Sequence, residues 1–139
     1  MKKILIADDA KLMRDIIERV IREIGDFETL IAHNGNEAVE MYKTHRPDLV
    51  TMDITMEQKN GLEATQDIKN FDPDAKIIII TSLGQEQLLN ACLGSGARDF
   101  IIKPFNKDRI KSAIRNALSD DGSSDNIKRE IINSPLIQK

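Results

Sequence analysis

The feature that most limits what this chain can fold into is a series of short, almost unbroken apolar runs. Ile77-Ile78-Ile79-Ile80 is the plainest, and it sits within a set formed by Lys3 to Ala7, Phe27 to Ala32, Asp48 to Met52, Lys76 to Thr81 and Asp99 to Ile102. A strand with one wet face alternates apolar and polar side chains. A strand that is apolar at nearly every position has to be covered on both faces, as in a parallel sheet. The intervening segments supply that cover: Leu12, Met13, Ile16, Ile17, Val20, Ile21 and Ile24 recur at helical spacing, as do Ile110, Ala113, Ile114, Ala117 and Leu118. Gly25, Gly35, Gly61, Pro73, Gly84, Gly96 and Pro104 mark the breaks. Five β–α repeats in so short a chain predict an α/β domain built on a doubly wound, five-stranded parallel sheet. Its right-handed crossovers place the ligand site outside the carboxyl ends of the strands.

A hydrophobic share of 40% in 139 residues supplies one core and not two. The domain is expected over residues 1–118. After it, Ser119-Asp120-Asp121-Gly122-Ser123-Ser124-Asp125 has the composition of a linker, and Asn126 to Lys139 form a short tail with apolar spacing at Ile127, Ile131 and Leu136 that suits a short helix. No apolar run reaches the roughly 18 residues of a membrane span, and the start turns acidic at Asp8 before a signal-peptide core could form. A cytoplasmic protein with no membrane partner is expected. The single cysteine, Cys92, lies in an apolar-periodic segment and is read as a small buried hydrophobe. A net charge of -3 with mixed signs, no Trp and 4% aromatics give neither a basic stripe nor a stacking platform, so no nucleic acid is expected to bind this domain.

Residues able to do chemistry fall at the strand ends. The first strand ends in Asp8-Asp9, the third in Asp53 and the fourth in Thr81-Ser82, while the last is followed by Lys103-Pro104. Each has an ordinary reading alone: Asp9 as a helix cap, Thr81 as a strand residue, Lys103 as a solvated charge. Together, in a parallel sheet, they converge on one cleft. Two unit charges about 4 Å apart repel by roughly 4 kcal/mol at an effective dielectric of 20, so clustered aspartates need a counter-cation to stay ionised. An all-oxygen site suits Mg²⁺, and the absence of a His or Cys cluster argues against Zn²⁺. His33 and His45 fall near helix boundaries and are expected to be structural or exposed.

Ile4-Leu5-Ile6-Ala7-Asp8-Asp9, Leu49-Val50-Thr51-Met52-Asp53-Ile54-Thr55-Met56, Ile79-Ile80-Thr81-Ser82 and Gly96-Ala97-Arg98-Asp99-Phe100-Ile101-Ile102-Lys103-Pro104-Phe105 occur in that order. They resemble the signatures of two-component response regulator receiver domains, over about Lys2 to Leu118, and among receivers those of CheY-type chemotaxis regulators. The resemblance implies the flavodoxin-like, CheY-like (βα)5 fold and a signalling switch that is not an enzyme beyond its own phosphorylation and autodephosphorylation. It implies Asp53 as phosphoacceptor, with Mg²⁺ held by Asp9, Asp53 and the Thr55 backbone carbonyl, and by Asp8 through water. Lys103 and Thr81 would contact the phosphoryl oxygens, and Phe100 would be the aromatic that follows a shift of Thr81. A cis Lys103-Pro104 bond is implied too, which X-Pro chemistry permits. The implied partners are a sensor histidine kinase or histidine phosphotransfer protein, and a downstream target bound through the fourth helix, fifth strand and fifth helix.

The chain departs from the family after the acceptor. Met56-Glu57-Gln58-Lys59-Asn60-Gly61 stands where Met-Pro-x-Met-Asp-Gly is common, so Glu57 replaces a proline; the expectation is a looser loop with added negative charge near the metal. Phe100 lacks a tyrosine hydroxyl, so an inward position would rest on packing alone. Thr55 and Leu83 occupy the positions that, in the family, flank the path of the attacking water. A haloacid-dehalogenase-like, Mg²⁺-dependent phosphatase is the rival from another class, but its nucleophile belongs to an Asp-x-Asp pattern after the first strand, and here the first strand gives adjacent aspartates. A flavin-binding flavodoxin-like module shares only the fold.

Overall fold

The computed structural model describes residues 1–119. Five strands and five helices alternate along the chain: β1 Lys2–Ala7, α1 Lys11–Ile24, β2 Phe27–Ala32, α2 Gly35–His45, β3 Leu49–Met52, α3 Gly61–Phe71, β4 Ile77–Thr81, α4 Glu86–Gly94, β5 Asp99–Ile102 and α5 Lys107–Ser119. The strands form one sheet in the order β2-β1-β3-β4-β5, and every pairing is parallel. The doubly wound five-stranded fold expected from the apolar runs is the fold observed.

Successive residues of the continuous runs serve opposite faces. Ile78 and Ile80 pack with Ile4, Ile6, Ile17, Ile21, Ile110 and Ile114 beneath α1 and α5. Ile77 and Ile79 pack with Leu5, Val50, Met52, Ala64 and Ile68 on the side of α2, α3 and α4. Ile77, Ile78 and Ile79 are fully buried, which is worth about 2 kcal/mol for each side chain and explains why no polar residue interrupts the run.

Helix starts are set by local chemistry where it is available. Asn34 caps α2 by accepting the Glu37 amide at 2.8 Å. Asn60 and Glu63 form a reciprocal capping box at α3. The α1 helix begins on Ala10, which offers no side-chain cap, so the ordinary reading of Asp9 as its cap is not met.

Three expectations are corrected. Leu12 is not part of the buried stripe of α1 but is 73% exposed. At about 100° per residue it points roughly 140° away from Ile17, whereas Ile17, Val20 and Ile21 are buried in the face against the sheet. The third and fourth strands begin one residue later than expected, at Leu49 and Ile77. Ser119, read as the first linker residue, instead belongs to α5, where its hydroxyl donates to the Arg115 carbonyl at 2.8 Å. The rest of the expected linker and tail lies outside the described residues.

Candidate phosphoacceptor site

The register Ala7↔Met52 aligns the ends of β1 and β3, and the Asp53 amide donates to the Ala7 carbonyl at 2.9 Å. Asp8, Asp9 and Asp53 therefore leave adjacent strands side by side, and each offers a carboxylate oxygen within 4.8 Å of the other two. Asp8 and Asp53 are buried, whereas Asp9 is exposed at the mouth.

Lys103, from the loop after β5, reaches across to this cluster. Its ammonium lies 3.2 Å from Asp8 Oδ2 and 3.6 Å from Asp53 Oδ1. The main chain supports it from below, since the Lys103 amide donates to the Thr81 carbonyl at 2.8 Å, and the Lys103-Pro104 peptide is cis, as the resemblance implied.

Burial pushes the Asp53 carboxyl up to about 6, against the lowering effects of Lys103 and of the Ile54 amide; the neighbouring charges of Asp8 and Asp9 push it further up. Oδ1 of Asp53 is occupied, accepting from the Ile54 amide at 2.9 Å while facing Lys103. No described group donates to Oδ2. Thr81, fully buried at the end of β4, accepts the Leu83 amide on its hydroxyl oxygen at 3.2 Å, and this leaves its own proton available to a ligand.

The loop carrying Thr55 and Glu57 is braced rather than held by a proline. The Lys59 amide donates to the Glu57 carbonyl at 2.8 Å, Asn36 donates to Gln58 at 3.2 Å, and Lys59 pairs with Asp67. Gln58 takes a positive φ of 68°. Gly61 makes the closest approach: a Cβ there would overlap the Asp53 carbonyl, while its amide donates to the Ile54 carbonyl at 2.9 Å. The sequence marked Gly61 as a break and as the glycine that closes the family motif; that it packs against the Asp53 carbonyl needed the tertiary contact to be seen. Glu57 and Thr55 are both exposed.

The remaining expected residues fall elsewhere. Phe100 is fully buried among the side chains under α4, including Leu89 and Cys92. Burial pushes the Cys92 thiol up to about 12, consistent with a small hydrophobe and not with a nucleophile. His33 is exposed and bonded to Glu37 at 2.7 Å, and His45 ends α2.

The donor set is all oxygen, clustered, partly buried and open on the Asp9 side. That combination fits a hard divalent ion such as Mg²⁺, which keeps some of its waters, and it offers none of the nitrogen or sulfur that Zn²⁺ prefers.

Comparison with known proteins agrees with this geometry. The family model described as the response regulator receiver domain matches residues 4–115. The chemotaxis protein CheY of Thermotoga maritima is 44% identical over 113 residues, covering 81% of this chain and 94% of that protein. Among solved structures, a chain of the CheX–CheY–BeF3–Mg²⁺ complex of Borrelia burgdorferi is 34% identical with a TM-score of 0.77, over 83% of this chain and 87% of that one. The response regulator TrrA of Thermotoga maritima, in complex with Mg²⁺ and BeF, is 32% identical with a TM-score of 0.77, over 85% of this chain and all (100%) of that one.

Proposed function

Because this chain belongs to the response regulator receiver family, and within it is CheY-like, we propose that Asp53 accepts a phosphoryl group from a histidine donor and that the modified domain then changes its protein partner. The phosphatase reading finds no support in these matches. The observation that carries the proposal is the meeting of Asp8, Asp9 and Asp53 within 4.8 Å, with the Lys103 ammonium 3.2 and 3.6 Å from two of them.

The chemistry follows from which atoms are engaged. Oδ1 of Asp53 is held by the Ile54 amide, so Oδ2 is the oxygen that attacks phosphorus in line as the donor's imidazole leaves. Transfer of this kind depends on positioning and on neutralising the equatorial oxygens. Lys103 provides a fixed positive charge for one oxygen, and Thr81 provides its hydroxyl proton for another. Asp9, Asp53 and the Thr55 carbonyl would hold Mg²⁺, with Asp8 acting through water. The ion would supply positive charge to carboxylates and phosphoryl oxygens together.

The acyl phosphate adds about one and a half to two negative charges. Drawing Thr81 and Lys103 toward it moves the ends of β4 and β5, which share the Lys103-to-Thr81 backbone bond. Phe100, packed under α4, transmits that shift to the α4–β5–α5 face, where a downstream target binds. The phosphodonor is a sensor histidine kinase or a histidine phosphotransfer protein. Chemotaxis is the process suggested by the named relatives, and self-phosphorylation and self-dephosphorylation are the only turnover expected. Among the described residues no helix is long and apolar enough to cross a membrane, and we place the domain in the cytoplasm.

Asp53→Asn tests the assignment, because the amide keeps the shape and removes the nucleophile. Acetyl phosphate with Mg²⁺ should label the wild-type chain to one phosphate and leave the variant unlabelled. Labelling of the variant at another aspartate, or sustained hydrolysis of a generic phosphomonoester by the wild type, would overturn it.

A further inference from the structure

We propose that Arg14, on α1, is a positioning residue of this site, holding the Asp8–Asp9 peptide so that the exposed Asp9 carboxylate faces the metal position; the inference rests on the receiver reading above. The Asp8 amide makes the last backbone bond from β1 toward β2, donating to the Ala32 carbonyl at 3.1 Å. In a parallel ladder the carbonyl of the same residue turns to the same neighbour and takes the amide two residues further on, here that of Asn34. The chain has by then left the sheet. Asn34 is the N-cap of α2, with its side chain engaged by Glu37, and no described backbone amide donates to the Asp8 carbonyl. Arg14 takes that place, donating from Nη1 at 2.9 Å in a part-buried setting.

That bond matters because of which peptide it holds. The Asp8 carbonyl and the Asp9 amide belong to one planar unit, so fixing the oxygen fixes the plane from which Asp9 departs. Asp8 has other anchors: Oδ1 accepts the Ala10 amide at 2.9 Å and Oδ2 faces Lys103 at 3.2 Å. Asp9 makes no described hydrogen bond through its own side chain, and α1 begins without a cap on the next residue. Its direction therefore depends on the peptide that Arg14 grips. The guanidinium also lies near α2, where the Glu37 carboxyl is held below its usual range first by its bond to His33 and more weakly by Arg14.

Two effects of Arg14 on a bound cation oppose each other, and this makes the proposal testable. Its positive charge repels the ion, while its hold on the Asp8–Asp9 peptide presents a ligand. Loss of a group that orients a metal ligand typically weakens binding by about 10–100-fold. Titration calorimetry of the full chain with Mg²⁺ should show R14M binding about tenfold or more weakly, with R14K intermediate, because an ammonium donates to one carbonyl without the fixed fork of a guanidinium. Melting in EDTA should be nearly unchanged in R14K, and the Asp9 amide resonance should move in that variant without any metal present. Tighter or unchanged Mg²⁺ binding in R14M would overturn the proposal. If R14M does not fold, R14K decides, and equality with the wild type overturns it. Failure of the wild type to bind Mg²⁺ or to be labelled on Asp53 by acetyl phosphate would instead defeat the receiver reading, so the two failures are distinguishable.

Discussion

Asp53→Asn should make the metal-free protein more stable at neutral pH, and the gain should vanish in acid. The folded carboxyl titrates near 6 against an ordinary value of 3.8. At about 1.4 kcal/mol per pH unit, ionising Asp53 within the fold costs about 3 kcal/mol. The folded value lies above the unfolded one, so the stability lost is fully present below the unfolded pKa and disappears as pH rises from about 4 through 6; above that the cost is constant. Asparagine keeps an acceptor for the Ile54 amide but takes one of two carboxylates from Lys103, so a net gain of about 1–3 kcal/mol is expected at pH 7. Urea unfolding in EDTA at pH 4, 5, 6 and 7 measures it. The difference between variant and wild type isolates the effect from Asp72, whose own carboxyl is held low first by its bond to Tyr42 and which loses stability in acid in both proteins. Mg²⁺ at 100 times its Kd would return about 2.7 kcal/mol to the wild type and much less to the variant. A variant no more stable than the wild type at pH 7, or a difference that does not change with pH, would refute burial of an incompletely compensated charge as the source of the shift.

Three further outcomes are expected. Thr51→Val should raise stability by about 1 kcal/mol in thermal melts, because the Thr51 hydroxyl is buried in the core under α1 and α5 without a hydrogen-bond partner. Leu12→Asp should slow phosphotransfer from a protein donor about tenfold or more while leaving labelling by acetyl phosphate unchanged, because Leu12 is a large apolar side chain left 73% exposed four residues past Asp8. Leu83→Glu with Thr55→Asn should accelerate loss of the acyl phosphate about tenfold, equivalent to about 1.4 kcal/mol of restored water positioning; decay of the label under saturating Mg²⁺ reads this directly, since a half-buried Leu83 and an exposed Thr55 offer little to orient a water.

What was legible in the sequence divides along a physical line. The strands were legible because burial on both faces leaves no freedom in residue type, as in Ile77 to Ile80, and the meeting of Asp8, Asp9, Asp53 and Lys103 followed from parallel topology without any distance being known. Leu12 stands outside the stripe because chained spacings of three and four drift around a helix, and only the angle relative to Ile17 shows that it has passed to the far side. The backbone contacts of Arg14 and Gly61 were invisible for a different reason. Each acts on a backbone carbonyl, that of Asp8 or Asp53, and a carbonyl has the same chemistry under every side chain. Sequence patterns therefore reveal groups that touch a ligand more readily than groups that hold the main chain beneath them. The carboxylate cluster shows both kinds: its carboxylates come from strand ends that the apolar pattern predicts, while the Asp8 carbonyl beside Asp9 is held by a guanidinium from the first turn of α1, which no strand-end pattern would include.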